Sequence, residues 1–141
     1  MSEIPRTIRI VVVEDHAPDV FLLKEALRDA AIPFELTHFD QGDAAVKSLS
    51  AENAVVPDLL ILDLNLPGIT GIEILRHVRR TPRLAHLPAA ILTSSQAPQD
   101  RADALSAGAD LFIHKPTGYD GFVSTVGGAI RGLLQQRLLL V

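Results

Sequence analysis

The sequence predicts an α/β protein, a single doubly wound domain of five parallel strands and five helices, and three observations lead there. Short apolar, β-branched runs alternate with longer stretches in which apolar residues recur at helical spacing, the pattern of a parallel sheet covered by helices. The run Leu59-Leu60-Ile61-Leu62 is apolar at every position, as suits a strand buried on both faces. No repeat, low-complexity tract or internal linker interrupts the alternation.

The first strand is expected over residues 8–13. A helix over 18–30 follows, with Pro18 in its first turn and Leu23, Leu27 and Ala30 on one face. The second strand, 34–39, runs into the turn Asp40-Gln41-Gly42, after which a helix turns Ala45 and Leu49 inward. The third strand, 59–62, is followed by a helix over 71–80 with Ile72, Leu75 and Val78 at spacings of three, stopped by Thr81-Pro82. The fourth strand spans 89–92. Its helix, 99–106, ends at Gly108, expected in the left-handed conformation that closes helices. A fifth strand over 111–113 leads to a last helix over 119–138.

The 141 residues are expected to form one domain over residues 1–141, with a core over about 7–135 and no room for a second. Hydrophobic residues make up 48% and charged residues 21%, a globular composition, and the net charge of -4 with no basic stripe argues against nucleic-acid binding. There is no cysteine, so no disulfide framework, thiolate metal site or thiol nucleophile is available. No signal-peptide pattern opens the chain and no apolar run is long enough to span a membrane, so a cytoplasmic protein without membrane contact is expected.

A doubly wound sheet gathers the carboxyl ends of its strands at one edge, where ligands bind. Here those ends are polar: Glu14-Asp15 after the first strand, Asp63 after the third, Thr93-Ser94-Ser95 after the fourth, His114-Lys115-Pro116 after the fifth. Each has an ordinary reading as a turn, cap or surface charge. Four converging in space favour a site. Glu14, Asp15 and Asp63 would bring three negative charges together, each close pair costing about 4 kcal/mol at the dielectric of a partly exposed site. One lysine does not offset three carboxylates. Mg2+, which takes one or two carboxylates and binds phosphate oxygens, would do so and would screen Asp63 from an incoming phosphoryl group. Lys115 and the Thr93 hydroxyl are placed to meet phosphoryl oxygens, which leaves Asp63 as nucleophile and acceptor in one.

Val13-Glu14-Asp15, Leu62-Asp63-Leu64-Asn65-Leu66-Pro67-Gly68 with Gly71, Leu92-Thr93-Ser94, Gly108-Ala109-Asp110 and Lys115-Pro116 together resemble the response-regulator receiver domain of two-component signalling, the CheY-like family, over essentially the whole chain. The resemblance implies a flavodoxin-like fold with strand order 2-1-3-4-5. It further implies a phosphoacceptor rather than an enzyme, with self-catalysed phosphorylation and dephosphorylation. Asp63 would take the phosphoryl group from a histidine kinase. Asp15 would bind Mg2+ directly, Glu14 through water and Asn65 through its backbone carbonyl. Lys115 would pair with the phosphoryl group, Thr93 would move toward it, and Phe112 would turn and report the change on the face of the fourth helix, fifth strand and fifth helix. Glu14 replaces the Asp of many relatives, and Phe112 lacks the hydroxyl of the tyrosine often found there, which favours its buried state. Ser95 and Asn65 fall where the family tunes phosphate lifetime. The Lys115-Pro116 bond is expected to be cis.

The long segments 79–88 and 50–57, with Asn65-Leu66-Pro67 and Leu92-Thr93-Ser94-Ser95, are similar to stand-alone regulators of bacterial phytochrome-type histidine kinases, which implies such a kinase as partner. The leucine-rich end, residues 133–141, carries more apolar surface than one helix face needs and suggests a homodimer. His16 adjoins the acidic pair but is a poor ligand for an oxygen-seeking ion, and His38, His77, His86 and His114 show no ligand spacing. Two alternatives stay open. One is a pseudo-receiver that binds partners without phosphorylation; the other is an Asp-nucleophile phosphatase, whose acidic pair would follow the first strand. No Gly-rich phosphate loop follows that strand.

Overall fold

The structure, a computed structural model, describes Ile4 and residues 6–139. Five parallel strands, β1 (Ile8–Val13), β2 (Phe34–Phe39), β3 (Leu59–Leu62), β4 (Ala89–Thr93) and β5 (Leu111–His114), lie in the order β2-β1-β3-β4-β5, as expected. They alternate with α1 (Ala17–Asp29), α2 (Gly42–Ser50), α3 (Gly71–Arg80), α4 (Pro98–Ser106) and α5 (Tyr119–Leu134). Among the described residues no helix is long and apolar enough to cross a membrane.

The two-residue period of the strands divides the interior into two layers. Ile8, Ile10, Val12, Leu59, Ile61, Ala90, Leu92 and Ile113 pack with α1 and α5 on one side. Leu60, Leu62, Ala89 and Ile91 pack with α2, α3 and α4 on the other. That parity also decides which way each strand end points. Glu14, Asp63 and Lys115 continue the series that faces α1 and α5, whereas Thr93 and Phe112 belong to the series that faces α4.

Helix α3 starts on a capping box: Thr70 Oγ1 accepts from the Glu73 N–H at 3.2 Å, and the Glu73 carboxylate accepts from the Thr70 N–H at 3.2 Å. Its buried face is Gly71, Ile74, Leu75 and Val78 rather than the expected Ile72, Leu75 and Val78, because spacings of three and four together track the 3.6-residue turn. Ile72 sits half-buried on the flank. In α1 the inward residues are Val20, Leu23, Ala26 and Leu27, and Ala30 is the half-buried cap. Gly108 has φ +104 and closes α4, as expected, with the Ala109 N–H bonded back to the Ala104 carbonyl at 3.1 Å.

The segment after α3 is held by Arg79, which donates to the carbonyls of Leu87 (2.7 Å), Ala85 (3.2 Å) and Gly108 (2.8 Å). The last helix departs from expectation. It is α-helical only to Leu134 and continues as a π turn over Gln135–Leu139, where Arg137 donates to Asp110 and to the His86 carbonyl at 3.1 Å. Leu133 and Leu134, two of the residues behind the dimer expectation, are core residues. Leu140 and Val141 lie outside the described residues, as do the side chains of Leu138 and Leu139. Lys115-Pro116 is also corrected: no cis peptide bond occurs among the described residues. The trans form is the intrinsically favoured one, and Lys115 reaches the carboxylates with it.

Candidate functional site

Strand register assembles the site. Val13 pairs with Leu62, so the next residues, Glu14 and Asp63, emerge side by side, with the Asp63 N–H bonded to the Val13 carbonyl at 3.1 Å. Thr93 pairs with His114, and the Lys115 N–H is bonded to the Thr93 carbonyl at 2.7 Å. Among the described residues the buried polar or charged side chains are Glu14, Asp63 and Thr93, all at this edge. Burying polar groups carries a cost, so their concentration in one place marks a site rather than a packing accident.

The Lys115 ammonium lies between three carboxylates, donating to Glu14 Oε1 at 2.7 Å, Asp19 Oδ2 at 2.8 Å and Asp63 Oδ2 at 2.9 Å. Glu14, Asp63 and Lys115 meet as the sequence predicts, and Asp19, in the first turn of α1, joins them unexpectedly. Asp15 is exposed, yet one oxygen each from Glu14, Asp15 and Asp63 lie within 4.8 Å of one another. Asn65 contributes its backbone N–H to Asp63 Oδ1 at 3.2 Å. Thr93 Oγ1 accepts from the Ser95 N–H at 3.2 Å, and the Ser95 hydroxyl is bonded to Asp100. His16 holds Asp19 at 3.1 Å through Nδ1.

Burial pushes the Glu14 carboxyl up to about 7, and the Asp63 charge adds to the push against the pull of Lys115. Burial acts on Asp63 in the same direction, but Lys115 and the Asn65 N–H overcome it and hold that carboxyl below its ordinary value. Burial would also lower the Lys115 ammonium, and its three carboxylate partners raise it instead. The lysine and the amide thus favour the ionised form of Asp63. Glu14, Asp15 and Asp63 bring three hard carboxylate oxygens within 4.8 Å of one another beside a single lysine ammonium, a donor set that fits a divalent cation such as Mg2+ or Mn2+.

The family model of the response regulator receiver domain matches residues 10–126. The chain belongs to that family. The receiver is 32% identical to the transcriptional regulatory protein TrcR of Mycobacterium tuberculosis over 88% of this chain and 46% of that protein. The chain thus spans about half the length of several curated relatives it matches. Among solved structures, the phosphorylated cyanobacterial phytochrome response regulator RcpA superposes with a TM-score of 0.82 at 29% identity, covering 93% of this chain and 96% of that one. The Mn2+-bound form of response regulator Rcp1 gives 0.79 at 29% identity and covers 94% of each chain.

Phe112 of the receiver is half-buried against the α4 side of the core, and the Arg101 guanidinium stands 5.5 Å from its ring centre. Both border a surface groove of about 400 Å³ with Pro98 and His114. The ring therefore lies half-buried at the border between the core and the surface.

The Glu14 shift sets a pH dependence. From its ordinary 4.5 up to about 7, the folded metal-free protein keeps a proton that the unfolded chain has lost. Stability is therefore expected to fall as pH rises through that window and to level off above it. The depressed Asp63 value works in the opposite sense, but below the ordinary carboxylate range. Urea unfolding in EDTA across the window should show the decline, and Glu14→Gln should flatten it. An equal slope in the variant would remove Glu14 as the cause.

Proposed function

We propose that this receiver takes a phosphoryl group from a histidine kinase onto Asp63 and signals through the face of α4, β5 and α5. The reading is carried by one observation: a buried carboxylate at the carboxyl edge of the sheet, 2.9 Å from the Lys115 ammonium and beside two further carboxylates. An oxygen of Asp63 attacks phosphorus, the P–N bond to the kinase histidine breaks with its electron pair returning to the imidazole, and an acyl phosphate forms. Water later attacks phosphorus, regenerating the carboxylate and releasing phosphate. Lys115 supplies fixed positive charge to the loose transition state. Glu14, Asp15, Asp63 and the Asn65 carbonyl would hold a divalent cation, which would supply further charge neutralisation there.

Thr93 lies on the α4-facing series with Phe112, so a shift of its hydroxyl toward a phosphoryl group frees space on the side where Phe112 and Arg101 meet the surface groove. The likeness to phytochrome response regulators supports a phytochrome-type kinase as donor.

Incubation with acetyl phosphate and Mg2+ is expected to add the mass of one phosphoryl group, mapped to Asp63 and labile to hydroxylamine. EDTA should abolish the gain. No gain in Mg2+ would overturn the acceptor reading, and an equal gain in EDTA would overturn the cation's part in it.

A further inference from the structure

We propose that Asp19 is a positioning residue of this site, occupying a Lys115 donor that a phosphoryl group on Asp63 would otherwise use, and so shortening the life of the phosphorylated form. The inference rests on Asp63 being the acceptor. An ammonium has three N–H donors, and those of Lys115 go to Glu14, Asp19 and Asp63 at 2.7, 2.8 and 2.9 Å. All three are spent. A phosphoryl oxygen gains Lys115 only when one carboxylate gives way or shares.

Asp19 differs from the other two. Glu14 and Asp63 sit on adjacent strand ends and share the region suited to a cation, whereas Asp19 is presented by the first turn of α1, across the lysine. The same oxygen, Oδ2, also meets His16 Nδ1 at 3.1 Å, so Asp19 is fixed from the helix side while it holds the lysine. Its side chain is only 18% exposed, which limits the screening of its charge. Phosphorylation adds negative charge to Asp63 within the reach of that carboxylate. The Asp19 charge therefore disfavours the phosphorylated state twice, by repulsion and by competition for the lysine. It also raises the preference of Lys115 for its resting arrangement.

Asp19→Asn keeps the shape and removes the charge, and Asp19→Glu returns it. In Mg2+, Asp19→Asn is expected to lengthen the acyl-phosphate half-life and tighten beryllofluoride binding, each about tenfold, the scale of one charge-assisted contact. Asp19→Glu should move both back toward wild type. A second readout needs no cation: acetic anhydride labelling of Lys115, normalised by mass spectrometry to Lys24 and Lys47, the other lysines of the chain. Labelling should rise in Asp19→Asn and fall again in Asp19→Glu. A wild-type half-life and beryllofluoride affinity in a folded, phosphorylatable Asp19→Asn protein, or a shortened half-life, overturns the proposal. If the wild type itself takes neither phosphoryl nor beryllofluoride, the acceptor reading fails; Lys115 labelling then still decides whether Asp19 holds the lysine, and unchanged labelling overturns that too.

Discussion

Asp63→Asn is expected to take up no phosphoryl group from acetyl phosphate and Mg2+, while folding as well as the wild type. The amide presents a far weaker nucleophile, and labelling should fall at least about a thousandfold, about 4 kcal/mol of barrier. The fold should survive because Lys115 keeps two of its three carboxylates, Glu14 at 2.7 Å and Asp19 at 2.8 Å. Removing the Asp63 charge also removes one of the influences that raise Glu14, so the pH-dependent loss of stability should shrink in the variant. Intact-mass spectrometry after a timed incubation, with circular dichroism as a check on folding, reads both halves. Undiminished labelling of a folded Asp63→Asn protein would move the acceptor to another carboxylate, with exposed Asp15 the first to examine.

Most of this site is legible in the sequence. Apolar strands ending in charged residues are legible because burial on two faces leaves few other patterns, and the order of the strands follows from the family likeness. Asp19 was not legible. An Asp in the first turn of a helix is ordinary, since it favours the helix dipole, and nothing in its spacing from Glu14 signals a lysine 96 residues away. Only the parity of the strand ends and the placement of α1 bring the two together. The capping box, by contrast, is legible in Thr70-Gly71-Ile72-Glu73, a Thr followed three residues on by a Glu. The π turn after Leu134 was hidden for another reason: helical periodicity in Leu133-Leu134 and Leu138-Leu139 is compatible with an uninterrupted helix, and the bond from Arg137 to Asp110 is tertiary. The same holds for Arg79, whose carbonyl partners on two loops assign it a role that its sequence position does not.

Gly71→Ala is expected to damage stability and phosphorylation together, because the first residue of α3 touches the backbone that carries Asp63. A Cβ at Gly71 would fall 2.1 Å from the Asp63 carbonyl oxygen, 2.9 Å from its carbon and 3.0 Å from Leu64 Cα. All three are main-chain atoms, so no rotamer change relieves the clash. Either α3 slides, breaking the bond from the Gly71 N–H to the Leu64 carbonyl at 3.2 Å, or the Asp63–Leu64 backbone moves. Overpacking of this kind costs about 1–3 kcal/mol. A displaced Asp63 also loses its alignment with Lys115, for which about a tenfold or greater loss in labelling rate is expected, since small misplacements of a reacting group are costly. Gly128→Ala is the control. Gly128 lies on the exposed side of α5, where a Cβ would point into open space, so alanine there should stabilise by about 0.5–1 kcal/mol through helix propensity and leave labelling unchanged. Urea unfolding and acetyl phosphate labelling of the two variants separate a helix effect from a contact effect. If Gly71→Ala behaved like Gly128→Ala in both, the close approach of α3 to the Asp63 backbone would not be what fixes the acceptor in place.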